Sequence, residues 1–176
     1  LFQSFMSLRF DEEAMALGAA SCIPPLTAIS DLPEALRGCH ALQVWVRRRP
    51  GTPYVLYPDA AEAKGRDYTA TVVVEARTLR HVATLRENSI EPTEHGALAV
   101  ALARYYNEAF YGVERNRGEA ILYAVGLEKY PEPRTYWHQD TMPQAMLRSN
   151  STGTRRIGMP VTEQTRPGLI DDLALE

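Results

Sequence analysis

Over residues 41–48, Leu42, Val44 and Val46 interleave with Gln43, Trp45 and Arg47, a period of two. Strand side chains point alternately to opposite faces, so this pattern predicts a β-strand with one buried face. A basic turn, Arg47-Arg48-Arg49-Pro50-Gly51, ends it. Residues 54–57 form a short apolar strand that closes on Pro58 and Asp59, and residues 69–75, rich in Thr and Val, read as a buried strand. Residues 79–85 alternate again after a hairpin turn at Arg77-Thr78. From Pro92 the period changes to about 3.6, with Leu98, Ala101, Leu102, Tyr105 and Tyr106 on one helical stripe and Thr93 as its cap. Phe110, Tyr111, Gly112 and Val113 read as a central strand ending at Glu114. Ala120, Ile121, Ala124 and Val125 mark a second helix, and residues 135–137 return to a strand after Pro131-Glu132-Pro133. Residues 139–158 carry no sustained period and are expected to be irregular and mobile.

Counted from Tyr54, three hairpin-linked strands are followed by alternating helices and strands. That order argues for an α/β fold, a mixed central sheet with helices on its faces, and among small folds it points to the ribonuclease H-like architecture. Ahead of it, residues 10–21 open with acids and predict a short helix stopped by Pro24-Pro25. Leu1-Phe2-Gln3-Ser4 reads as the remnant of an engineered protease site. The expected organisation is therefore a remnant over 1–5, a helix and arm over 6–40, and the main domain over 41–176.

Composition narrows the class without changing this picture. The 176 residues are 45% hydrophobic and 23% charged, which excludes a fibrous or wholly disordered chain. No apolar stretch approaches the roughly 20 residues of a membrane span. The net charge of -3 gives nucleic acid no global attraction, so any contact with it needs a local patch. Cys22 and Cys39 form no CxxC pattern and fit a reducing compartment. His40, His81 and His95 have no zinc-ligand spacing, and His138 beside Trp137 reads as structural.

Two acids carry the chemistry. Asp59 ends the first strand of that count and Glu114 the fourth; if those strands are neighbours, both carboxylates address one point. Such oxygen donors suit Mg²⁺ or Mn²⁺, and a pair of these ions stabilises the attacking and leaving oxygens of a phosphodiester displacement. Taken singly, each acid also reads as a strand-end residue that caps a loop or pairs with Arg115.

Three segments add a resemblance. Tyr57-Pro58-Asp59 with Asp67-Tyr68-Thr69-Ala70, then Tyr105-Tyr106-Asn107 with Val113-Glu114-Arg115-Asn116, then Thr162-Glu163-Gln164-Thr165-Arg166-Pro167, resemble in order the nuclease domain of viral large terminase subunits. The resemblance covers roughly residues 40–176. It implies a metal-dependent endonuclease that cuts concatemeric double-stranded DNA during genome packaging in the cytoplasm of an infected bacterial host. Its implied partners are the terminase ATPase domain, the small terminase subunit and the portal. It makes Asp59 and Glu114 metal ligands, Asp67 an accessory ligand, and Mg²⁺ or Mn²⁺, two ions, the cofactor. Asn116 would orient Glu114, or serve as turn chemistry.

Lys64 and Arg66 either contact phosphates or belong to a solvated loop; Arg155 and Arg156 either track a DNA backbone or solubilise theirs. Two departures stand out. The family's third acid lies in a His-Asp-Asp segment beyond the Thr-Arg-Pro helix, and none precedes Glu176, so the domain is expected to be truncated there. No GxxxxGK[ST] motif occurs, so the ATPase motor is not in this chain. A resolvase-like or transposase-like nuclease of the same fold, or a non-catalytic DNA-binding or docking module, are the competing readings.

Overall fold

The computed structural model describes residues 12–60, 67–115, 118–139 and 155–161. The chain divides into two compact units, residues 25–160 and residues 1–24 with 161–176. In the latter, α1 (Glu12–Ala20) is the described element; Ser21 closes it by donating from Oγ to the Gly18 carbonyl at 2.8 Å.

The larger unit is built on a five-stranded sheet of order β1-β4-β3-β2-β5. Its strands are β1 (Leu42–Val44), β2 (Tyr54–Asp59), β3 (Thr69–Glu75), β4 (His81–Glu87) and β5 (Phe110–Tyr111). β2, β3 and β4 form an antiparallel meander, β1 adds antiparallel to β4, and β5 adds parallel to β2. This mixed sheet is the predicted α/β, ribonuclease H-like arrangement. A two-stranded ribbon of β6 (Trp137–Gln139) and β7 (Arg155–Ile157) follows.

The helices are α2 (Pro92–Tyr105) and α3 (Glu119–Leu127). α2 buries Ala99, Val100, Leu102, Ala103 and Tyr105 in the same core as Val44, Leu56, Val73 and Leu85 of the sheet. α3 approaches α2 so closely that a Cβ on Gly96 would stand 2.7 Å from the Ala124 Cβ, which is why glycine occupies a helix interior where it otherwise costs stability.

Four local expectations need correction. β1 stops at Val44 because the N–H groups of Trp45 and Val46 both donate to the Val82 carbonyl, which breaks the alternating ladder. Leu79 lies in the hairpin turn with φ 54°, not in a strand. Pro92 opens α2 as its first residue, so Thr93 is inside the helix and does not cap it. Arg155 and Arg156 belong to paired β7, not to a loop; residues 140–154 of the region expected to be irregular lie outside the described residues.

Candidate functional site

β2 and β5 run parallel, with Val55 opposite Phe110 and Leu56 opposite Tyr111. The next step sets Gly112 beside Tyr57, and Asp59 and Glu114 follow two residues further along the two segments. The Gly112 N–H donates to the Leu56 carbonyl at 2.9 Å, and a Cβ on Gly112 would meet the Tyr57 ring at 3.0 Å. The chain then turns from β2 to a new partner: Glu114 bridges Met159 in parallel, Met159 donates to the Val113 carbonyl at 2.7 Å, and Arg115 donates to Met159 at 2.8 Å. Two backbone bonds thus hold Glu114 from either side. Behind it, a Cβ on Gly118 would lie 2.1 Å from the Glu114 carbonyl oxygen, so only glycine permits α3 to start there.

The two acids differ in setting. Asp59 is exposed, whereas Glu114 is buried at 8% exposure. Tyr57 registers both: its phenol is pushed up to about 12 by burial first, then by Glu114 and then by Asp59. A phenol in that state stays protonated at neutral pH and offers a donor beside two acceptors. The donor chemistry fits a hard divalent cation, since carboxylate oxygens are what such ions take. Among the described residues, no cluster of three or more His, Cys, Asp or Glu side chains is placed to hold a metal.

Asp67 is exposed two positions before β3, and because Asp59 pairs with Ala70, it lies at the same end of the sheet as Asp59. Lys64, Arg66 and Asn116 lie outside the described residues, as does the Thr162-to-Pro167 segment. Arg155 stacks over Trp137 at 4.8 Å and pairs with Glu132 at 3.4 Å, both side chains more than half exposed. Arg156 is exposed beside it on β7, whose continuation through Gly158 leads to Met159 against Glu114.

The Tyr-Tyr-Asn segment sits at the opposite end of the sheet. Tyr106 donates its hydroxyl to the Val46 carbonyl at 2.7 Å, Tyr105 reaches Asp31 at 3.2 Å, and Asn107 donates from Nδ2 to the Arg49 and Thr52 carbonyls. Asn107 has φ 58°, a left-handed conformation that asparagine tolerates at a helix end. This segment fastens the basic turn to α2 and stands away from the carboxylates.

No protein-family model matches the chain, and no curated protein matches its sequence. Solved structures do match its shape. The large terminase nuclease from the thermophilic phage G20c with bound magnesium superposes with a TM-score of 0.57 at 19% identity, covering 87% of this chain and 62% of that one. The same nuclease with bound cobalt gives 0.56 at 18% identity, with 87% and 62% covered, and with bound zinc 0.56 at 18%, with 87% and 68% covered. The chain thus spans less than two thirds of the length of the magnesium-bound nuclease. Its fold is the ribonuclease H-like fold of phage large terminase nuclease domains.

Proposed function

We propose that this chain is a nuclease domain that hydrolyses the phosphodiesters of concatemeric double-stranded DNA during viral genome packaging. The observation that supports the reading is the parallel pairing of β2 with β5, which carries Asp59 and the segment running on to Glu114 toward one end of the sheet, with the Tyr57 phenol raised by burial first and then by both acids. Asp59 and Glu114 are the residues that would hold Mg²⁺ or Mn²⁺, two ions in this reading, with Asp67 as an accessory ligand. Such ions, when bound, supply charge stabilisation to the attacking and leaving oxygens of the displacement.

The chain's own residues supply position. The backbone bonds of Val113 and Arg115 to Met159 fix the main chain at Glu114, so the position from which its carboxylate extends is set before substrate arrives. Asp59, exposed at the strand end, is open to the substrate side. Tyr57, neutral, adds a hydrogen-bond donor without adding charge. Lys64, Arg66, Arg155 and Arg156 are the proposed backbone contacts, drawing DNA to a chain whose net charge would otherwise repel it. The proposed setting is the cytoplasm of an infected bacterium, with the terminase ATPase domain, the small subunit and the portal as partners. Among the described residues, no helix is long and apolar enough to cross a membrane.

The test is plasmid cleavage with Mn²⁺, Mg²⁺ or EDTA, using the parent chain and Asp59→Asn. Nicking or linearisation that needs the divalent ion and falls by orders of magnitude in Asp59→Asn is the expected result. Equal cleavage by the variant would make Asp59 a structural strand-end acid, and a docking role would take precedence.

A further inference from the structure

The register of the sheet defines a row that crosses three strands. Asp59 of β2 pairs with Ala70 of β3, and Ala70 pairs with Arg86 of β4. Directly paired residues point to the same face of a sheet, so Asp59, Ala70 and Arg86 share one. The neighbouring row confirms the assignment: Pro58, Thr71 and Leu85 are buried on the other face. Two strand spacings of about 4.8 Å put the Asp59 and Arg86 backbones about 10 Å apart. Only the small side chain of Ala70 lies between them.

Arg86 is prepared for a ligand. Its backbone N–H donates to the carbonyl of Ala41, just ahead of β1, at 3.0 Å, so that segment and β3 flank the residue on both sides. Its guanidinium lies over the Tyr68 ring, 3.6 Å from the centroid. Stacking occupies the flat face of the guanidinium and leaves the N–H donors at its rim available. Among the described residues it makes no ion pair, and both side chains stay in solvent, Tyr68 at 46% exposure. An arginine and a tyrosine that stack without burying each other contribute little to the core. They do present a rigid, positively charged fork on the face that carries the acid.

We propose that Arg86, oriented by Tyr68, is a phosphate clamp that holds the DNA strand on the Asp59 face of the sheet. The proposal rests on the nuclease reading and names a contact for that site. A row with carboxylates at one end repels a polyanion, and a fixed cation at the other end offsets this. Over about 10 Å the axis of a duplex advances by roughly three base pairs of 3.4 Å, so Arg86 engages a phosphate within a few nucleotides of the one at the acids. Its planar fork suits a phosphate better than a lysine's point charge.

The experiment is fluorescence anisotropy of a labelled DNA duplex in EDTA, where no metal-dependent cleavage occurs, across a range of salt. Arg86→Ala and Arg86→Gln are expected to weaken binding about tenfold and to lower the slope of log affinity against log salt by about one unit. Arg86→Lys is expected to recover the slope with part of the affinity, and Tyr68→Leu to lose affinity while keeping the slope. Unchanged affinity and slope in both Arg86→Ala and Arg86→Gln, or a parent chain that does not bind the duplex, would overturn the clamp. Asp59→Asn, run in the same assay and in plasmid cleavage, separates the two readings. Lost cleavage in Asp59→Asn with intact binding in Arg86→Ala removes the clamp and keeps the nuclease. Intact cleavage in Asp59→Asn with weakened binding in Arg86→Ala does the reverse.

Discussion

The two faces of the sheet divide the labour of the molecule. On one, Leu56, Thr71, Val73 and Leu85 are wholly buried with α2. On the other, Tyr57 is half-buried, Val72 is 39% exposed, and Asp59 and Arg86 are exposed. The same strands alternate between them, so each residue step exchanges a packed position for one open to solvent. Substitutions on the first face should therefore be read in stability, and those on the second in binding or catalysis.

Glu114→Gln tests the division most severely. Cleavage is expected to fall by orders of magnitude, and the Tyr57 phenol to titrate below about 12, because one of the negative charges that raise it has gone. Tyrosine-resolved NMR across alkaline pH checks the shift independently of activity; a phenol that does not move would place Glu114 outside its reach. Next in size, Leu85→Ala deletes a wholly buried side chain beside Arg86 and is expected to cost about 2–5 kcal/mol in denaturant unfolding. Duplex binding per folded molecule should be unchanged.

The core face also carries a titratable group. His95 is buried on α2, its Nε2 2.8 Å from the Thr71 hydroxyl and its Nδ1 without a partner among the described residues. Burial pulls its pKa down to about 4, with Glu87 partly opposing. The folded state therefore holds the neutral ring, while the unfolded chain takes a proton at about 6.5. The stability this contributes is full above about pH 6.5 and is lost as pH falls toward 4, on the order of 3 kcal/mol. Unfolding free energies of the parent and His95→Asn at pH 7 and pH 4.5 should differ in pH dependence in that direction; parallel curves would refute it. The smallest expected effect is Val72→Thr, on the exposed face, which should stay within about 0.5 kcal/mol.

Much of this architecture is legible in the chain because periodicity reports burial. Residues 69–75 read as a strand and form β3 with the same bounds; of the stripe read on α2, Leu102, Tyr105 and Tyr106 are buried, but Leu98 and Ala101 are only partly so and Ala99, Val100 and Ala103 carry the rest of the core face. Asp59 and Glu114 stand out because an acid at the end of an apolar strand is conspicuous. Arg86 does not: it lies just beyond the strand read over 79–85, and only the observed extent of β4 and its inter-strand register put it in the row of Asp59. Gly118 is silent for a similar reason, since its demand comes from a backbone oxygen brought close by folding. Tyr105, Tyr106 and Asn107 are conspicuous as a motif, yet what they do is tie down a distant turn, a role that spacing along the chain does not encode.

The parallel pairing of β2 with β5 has a consequence in time. Antiparallel neighbours such as β2 and β3 meet through a short connection, but Val55 finds Phe110 only after β3, β4 and α2 have been laid down between them. Closing so long a loop carries an entropic cost before any contact repays it, and pairings of this kind tend to form slowly. Until β5 docks, Asp59 and Glu114 are separate acids on separate segments. The proposed pairing of these carboxylates therefore waits on long-range contacts, β5 with β2 and Glu114 with Met159, and a nascent or partly unfolded chain lacks it.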